Sequence, residues 1–485
     1  MQTSADLAAR YASTHDGQPL VRRHRAETQS SGLKSERIFG TDGVRGRAGE
    51  GWLAPAAVSA LGAAVGELLA ARTPASAGRR VLLGHDGRRS GPGLEAALAR
   101  GLAQHGFEAT SAGLITTPGL ALLTRLEGFR LGAMVSASHN PAEDNGIKLF
   151  SDQGEKLPDE LELAIEERLR AQPTLALAPA QVPHDAQLEG RYLAYLLEHG
   201  GRGLNLHGLS LVVDCANGGA SRVAPRVFAR LGAQVRSFAA EPDGDNINLR
   251  CGATKPQALQ EEVRRQGAQL GIALDGDGDR CLLADERGEL VDGDGILTLL
   301  ARAMAGKGEL AKSRIAATVM SNKGLHRALR EVGVSVATTD VGDRRVVEEL
   351  RRGGLQLGGE QSGHIVFGPD HFYIGDGIYT ALRVLRVMRE SGAPLSELAG
   401  AFRAFPQVLL NVAVRSKPAL SSVAGLASAC ARIEAELGED GRVLLRYSGT
   451  EALARVMVEG PDLDTIRAQA KELASVIAAE IGSAP

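Results

Sequence analysis

Ile272-Ala273-Leu274-Asp275-Gly276-Asp277-Gly278-Asp279-Arg280 opens as a short apolar run and ends in a loop of carboxylates and glycines. Such a segment reads as a buried strand that delivers a polar loop at its carboxyl end. The same grammar occurs twice upstream. Val81-Leu82-Leu83 runs into Gly84-His85-Asp86-Gly87, and Leu211-Val212-Val213 runs into Asp214-Cys215-Ala216-Asn217-Gly218-Gly219. Stretches with helical spacing follow each loop. This alternation predicts an α/β protein whose chemistry sits on loops at strand ends. Near the C-terminus, Val443-Leu444-Leu445 and Val456-Met457-Val458 flank a polar loop, and Ile466, Ala470, Leu473, Ile477 and Ile481 then recur at helical spacing. That pattern predicts a smaller α+β unit.

A chain of 485 residues exceeds what one hydrophobic core supports, so three or four domains with clefts between them are expected. Turn-rich and Pro-containing segments place the divisions at 38–187, 188–292, 293–405 and 406–485. Residues 1–37 are polar, carry both charge signs and lack the apolar stretch of a secretory signal, so they are expected to form a flexible extension outside the fold. Deleting them is expected to keep turnover within about twofold and Tm within a few degrees of the full chain, because they hold too few apolar side chains to bury. A larger loss in a side-by-side assay and melt would show that they pack on the body.

Composition narrows the function classes. The 55 Lys and Arg against 58 Asp and Glu leave a net charge of -3, so no overall basic field speaks for a nucleic-acid partner. No apolar run reaches the roughly 18–20 residues that cross a bilayer. Cys215, Cys251, Cys281 and Cys430 lie far apart, in neither zinc nor disulfide-framework spacing, which suggests a reducing, cytoplasmic setting. A homo-oligomer is compatible with the sequence.

Five constellations carry candidate chemistry. Ser136-Ala137-Ser138-His139-Asn140-Pro141 follows an apolar stretch and leads to Asn145-Gly146-Ile147-Lys148. A serine hydroxyl needs a base or nearby positive charge to act as a nucleophile, and His139 and Lys148 are placed to supply one. The alternative is an ordinary turn before Pro141. In Asp275-Gly276-Asp277-Gly278-Asp279-Arg280, glycines let three carboxylates converge on one hard cation, Mg²⁺ or Ca²⁺. An EF-hand is the rival, with Glu286 at the twelfth position. Against it, Arg280 stands where that loop needs glycine, and the preceding segment reads as a strand. Gly358-Gly359-Glu360-Gln361-Ser362-Gly363-His364 suits close approach to a polyhydroxylated ligand, or is a structural turn. Arg446-Tyr447-Ser448-Gly449-Thr450-Glu451, with Arg455 beyond, offers hydroxyls, an open backbone and two guanidiniums to a phosphate, or is a helix capping box from Ser448 to Glu451. Phe39-Gly40-Thr41-Asp42-Gly43-Val44-Arg45-Gly46 is a glycine-rich loop with one arginine.

In this order the five resemble the α-D-phosphohexomutase family, over nearly the whole chain after residue 37, and the wording of Phe39-Gly40-Thr41-Asp42-Gly43-Val44-Arg45-Gly46, Gly359-Glu360-Gln361-Ser362-Gly363-His364 and Arg455-Val456-Met457-Val458-Glu459-Gly460 resembles its glucosamine-phosphate branch. The resemblance implies four domains around a central cleft, three related α/β domains with mixed sheets and a smaller C-terminal α+β domain. It implies a phosphoserine at Ser138, and Mg²⁺ held by Asp275, Asp277 and Asp279 with the serine phosphate as a further ligand. By the same resemblance, Glu360 and Ser362 read sugar hydroxyls, while Arg446, Ser448, Gly449, Thr450 and Arg455 hold the phosphate that is not transferred. Arg45, His139, Lys148, Arg280 and His364 are implied to stabilise charge or move protons. The implied reaction interconverts glucosamine 6-phosphate and glucosamine 1-phosphate through a bisphosphorylated sugar and supplies UDP-N-acetylglucosamine synthesis. Rival readings are a family member acting on glucose or mannose phosphates, a non-catalytic sugar-phosphate binder and a calcium module. Two positions depart from the family's pattern: Ala452 replaces a common proline, and Ile374 a common threonine.

Overall fold

Runs of buried aliphatic residues pair into four sheets in the computed structural model, which describes residues 37–40, 42–72, 78–171, 182–448 and 451–483. The first sheet contains β1 (Val44–Arg47), β2 (Arg80–His85), β3 (Glu108–Leu114), β4 (Leu131–Val135) and β5 (Asp144–Ser151), in the order β1-β5-β4-β2-β3. The second contains β6 (Ser210–Asp214), β7 (Gln234–Phe238), β8 (Leu270–Leu274), β9 (Cys281–Ala284) and β10 (Leu290–Val291), in the order β10-β9-β8-β6-β7. The third contains β11 (Arg314–Thr318), β12 (Ser335–Thr339), β13 (Leu357–Gly359) and β14 (Ile365–Phe367), in the order β12-β11-β13-β14.

These three sheets repeat one topology. Two parallel pairings set the first strand of the unit between the second and third, and a fourth strand returns antiparallel to the third. The third strand is interior in each unit and its residues are buried, as in β4 and β8. That is why it reads as a continuous apolar run with no alternation. Helices cross between the parallel strands, as right-handed βαβ connections require.

The last sheet differs. It is a three-stranded sheet of β15 (Gln407–Ala413), β16 (Arg442–Tyr447) and β17 (Leu453–Glu459), with β17 in the centre and antiparallel to both neighbours. The helix Leu463–Ile481 covers one face, and Ile466, Ala470, Leu473, Ile477 and Ile481 are all buried, as their spacing predicts. Each of its four larger buried side chains contributes about 1.5–3 kcal/mol relative to exposure. This unit keeps its own apolar core, whereas one continuous core joins Leu82, Leu211, Ile272, Ile315 and Leu357 of the first three sheets. The fold is therefore α/β, three related units with mixed sheets and a smaller α+β unit.

Residues 38–485 form one compact unit. The extension expected at 1–37 lies outside the described residues except for Arg37. No described helix is long and apolar enough to cross a membrane.

Candidate active site

The repeated topology places three of the sequence motifs in equivalent positions. Each occupies the loop from the interior third strand to its antiparallel partner: Ser138 between β4 and β5, the three aspartates between β8 and β9, and Glu360 to His364 between β13 and β14. The loops also dock on one another. Thr117 N donates to Asp277 O at 2.8 Å, Cys281 N to Gly363 O at 3.0 Å, and Gly377 N to Gly278 O at 3.0 Å, so the aspartate loop is gripped from both sides.

Ser138 is 2% exposed, and its hydroxyl donates to Asp275 Oδ2 at 2.7 Å. Its φ of 52° lies in the left-handed region, which costs a non-glycine residue about 1 kcal/mol or more and persists only when surroundings enforce it. Ser136, two residues earlier, is fully occupied: its Oγ accepts from Ser138 N at 2.8 Å and donates to Asp86 Oδ2 at 2.6 Å. The Ser136 hydroxyl thus braces the loop, while the Ser138 hydroxyl faces the aspartate loop. His139 is not brought onto the Ser138 hydroxyl, and its Nδ1 is buried without a partner among the described residues. Burial, then the charges of Arg280 and Arg45, hold its pKa below the usual value, so the ring is neutral at pH 7.

Asp275, Asp277 and Asp279 are buried, and one oxygen from each lies within 4.8 Å of the others. Asp277 Oδ1 and Asp279 Oδ1 have no hydrogen-bond partner among the described residues. Orphaned buried carboxylate oxygens are costly unless a cation meets them, and an all-oxygen donor set fits a hard divalent ion. Burial, then the neighbouring Asp279 and Asp277 charges, push the Asp275 carboxyl up to about 8. Gly276 makes the convergence possible, since a Cβ there would lie 2.5 Å from Ser138 O. The EF-hand alternative fails on architecture, because strands rather than helices flank this loop.

Cations alternate with carboxylates around the triad. Lys148 Nζ bonds Asp277 Oδ2 at 2.7 Å and Asp42 Oδ2 at 3.0 Å; Lys156 Nζ reaches Asp42 and, at 2.6 Å, Asp343; His364 lies 3.9 Å from Asp343 and 3.6 Å from Asp279. Despite burial, the Asp277 and Asp42 charges hold Lys148 well above its ordinary pKa. Asp279 and Asp343 likewise overcome burial to raise His364 to about 9. Both are therefore cations at neutral pH. Arg280 Nε stands 4.0 Å from Asp275 and from Asp279, and Arg45 pairs with Asp42. Glu360 Oε1 accepts from Gly342 N at 3.1 Å, and Ser362 Oγ is buried with no partner among the described residues.

The fourth motif stands apart. Arg446 and Arg455 are cross-strand partners on β16 and β17, and no hydrogen bond or ion pair between described residues ties them to the Ser138 loop or the triad. Like charges directly opposite repel, which suits a site that receives an anion. Gly449 and Thr450 lie outside the described residues, as does Thr41. The capping box is corrected. Glu451 N does bond Ser448 Oγ at 3.3 Å, but β17 follows, not a helix.

Several site residues escaped sequence reading: Asp42, Asp86, Arg88, Thr117, Lys156, Asn248 and Asp343. Asp42 shares its loop with one partner, Arg45, but other contacts join segments far apart in the chain: Thr117 bonds Asp277 and Lys156 bonds Asp343 across the fold. Only Asp86 and Asp42 carried a signal, as carboxylates in glycine loops after or before strands. Ile374 finds an explanation in packing, since it is buried in the large core. The adjacent Gly375 leaves room for the His364 ring, because a Cβ there would lie 2.1 Å from Nε2 and displace it.

Models of the phosphoglucomutase/phosphomannomutase family match in four consecutive pieces: alpha/beta/alpha domains I, II and III at residues 36–175, 191–288 and 292–405, and the C-terminal domain at 409–476. The chain belongs to this family. Among curated relatives, a phosphoglucosamine mutase of Rhodococcus opacus is 49% identical, covering 91% of this chain and 99% of its own. One from Anaeromyxobacter sp. is 46% identical over 92% of this chain and 97% of its own. A phosphoglucomutase/phosphomannomutase family protein from Burkholderia thailandensis has the same fold, with a TM-score of 0.74 at 24% identity over 92% of this chain and 98% of that one.

Proposed function

We propose that this chain is a phosphoglucosamine mutase that interconverts glucosamine 6-phosphate and glucosamine 1-phosphate through phosphorylated Ser138, supplying an amino-sugar phosphate for UDP-N-acetylglucosamine synthesis. The observation that carries the mechanism is the buried Ser138 hydroxyl on Asp275, at the edge of three converging carboxylates. Asp275, Asp277, Asp279 and the serine phosphate would hold Mg²⁺. When bound, that ion neutralises phosphoryl charge.

The rest falls to side chains. A sugar hydroxyl oxygen attacks phosphorus, the bond from phosphorus to Ser138 Oγ breaks, and Oγ takes the proton that the sugar oxygen releases. Reversal at the other end, after the bisphosphate turns over, completes the isomerisation. Phosphoryl transfer needs positioning and charge neutralisation above all. Lys148, Arg280 and His364 are cations around the reacting group, Arg45 reinforces Asp42, and neutral His139 is the ring able to accept a proton. Glu360 and Ser362 would read sugar hydroxyls. Arg446, Ser448, Gly449, Thr450 and Arg455 would hold the second phosphate.

A panel of glucosamine, glucose and mannose 6-phosphates separates this reading from the rival sugars. Glucosamine 6-phosphate is expected to give the highest kcat/KM, with a margin of about tenfold or more, the scale of one well-placed polar contact. Equal values on glucose or mannose 6-phosphate would move the substrate but keep the family.

A further inference from the structure

The left-handed backbone of Ser138 has to be held from outside the residue, and the hydrogen bonds that hold it come from two sheets. Arg88, after β2, is 1% exposed. Its guanidinium donates to Ser138 O at 3.0 Å, Asn140 O at 2.9 Å and Asp144 O at 2.9 Å, and also to Pro141 O; Nε anchors on Asp86 Oδ2 at 3.0 Å. The planar fork gathers the loop's carbonyls to one side, as only arginine geometry allows. From the loop between β7 and β8, Asn248 Nδ2 donates to the same two carbonyls, Ser138 O at 2.8 Å and Asn140 O at 3.0 Å.

Asn248 has no other described side-chain bond, because its Oδ1 is buried without a partner. Its own φ is 59°, a conformation asparagine tolerates better than most residues. Gly276 of the aspartate loop packs between the two loops, and a Cβ there would lie 2.8 Å from Asn248 Nδ2. The amide therefore ties the serine loop to the unit that carries the triad.

We infer that Asn248 is a cross-domain positioning residue which, together with Arg88, fixes Ser138 in its left-handed conformation and aims Oγ at the aspartate triad. The inference rests on Ser138 being the phosphoryl carrier. Asn248 touches no reacting atom. Its contribution is alignment, and a misplacement of about 1 Å can cost on the order of 100-fold in rate.

The test compares wild type with Asn248→Gly, which keeps the left-handed backbone and removes only the amide, and with Asn248→Asp, which turns a carboxylate toward two carbonyl oxygens. Expected for Asn248→Gly is a kcat lower by about 10- to 100-fold with KM within about twofold, and a larger loss for Asn248→Asp. A misaligned serine also retrieves the second phosphate slowly, so bisphosphate escapes. The stimulation of turnover by added glucosamine 1,6-bisphosphate should then rise about tenfold over wild type, which a smaller folded fraction alone would not produce. Wild-type kcat and bisphosphate dependence in Asn248→Gly would overturn the inference, as would a rate loss matched by the loss of folded protein. Failure of the underlying mechanism would show separately, as wild-type protein with no phosphate on Ser138 by peptide mass spectrometry.

Discussion

Ser138→Ala is expected to lose mutase activity by about 10⁴-fold or more, because it removes the proposed covalent carrier of the phosphoryl group. The protein should still fold, with stability lowered by about 1–3 kcal/mol because a buried Asp275 oxygen loses its donor. The methyl group fits the same backbone, and the loop stays held through carbonyls by Arg88 and Asn248. What is lost inside the fold is one hydrogen bond to Asp275. Peptide mass spectra of wild type, before and after exposure to a hexose 1,6-bisphosphate, should place one phosphate on Ser138. The structure sharpens this expectation against Ser136, whose hydroxyl is already spent on Asp86 and on Ser138 N. Wild-type turnover in the alanine variant, or phosphate found only on Ser136, would end the proposed mechanism.

Asp277→Asn is expected to lower kcat/KM by about 100-fold or more at fixed Mg²⁺, and to weaken Mg²⁺ binding. Asp277 faces two ways. Its Oδ2 receives Lys148 Nζ at 2.7 Å and the Thr117 hydroxyl, while Oδ1 has no partner among the described residues. An asparagine must turn its NH₂ either toward the Lys148 ammonium, opposing donor to donor, or toward the ion site, where it cannot ligate. The Lys148 charge holds the Asp277 carboxyl below the usual carboxylate range against burial, so the wild-type residue is ionised throughout the working pH range.

Thermal melts give a second readout. Wild type should gain Tm with Mg²⁺, by about 2.7 kcal/mol of stabilisation at 100 times Kd, and the variant should gain much less at the same concentration. Equal activity of wild type in excess chelator and in Mg²⁺ would remove the metal from the mechanism.

How much of this was legible in the chain depends on the range of each interaction. The inner strands show as apolar runs because burial on both faces demands it, and the last helix shows as a 3.6-residue period because one of its faces is buried. Ser138, the three aspartates, Glu360 and the arginines of the last hairpin were visible because each belongs to a short loop rich in glycine or polar groups. The capping-box reading of Ser448 and Glu451 shows the limit of local pattern. The predicted contact exists, yet the segment after it pairs as β17 because Val456 and Val458 are buried in the last sheet.

By itself the sequence determined the α/β class, the loops that carry chemistry and, by resemblance, the family. The tertiary structure decided which loops meet. The three functional loops occupy the same place in three copies of one topology, and that equivalence rests on strand pairing between segments far apart in the chain. It also decided the partners of the charges: Lys148 with Asp277, Lys156 with Asp343, His364 with Asp279, and Arg88 and Asn248 with the Ser138 carbonyls. Such pairs leave no local signature, because a hydrogen bond or ion pair reads only the distance between two groups in space, and here the fold alone sets that distance.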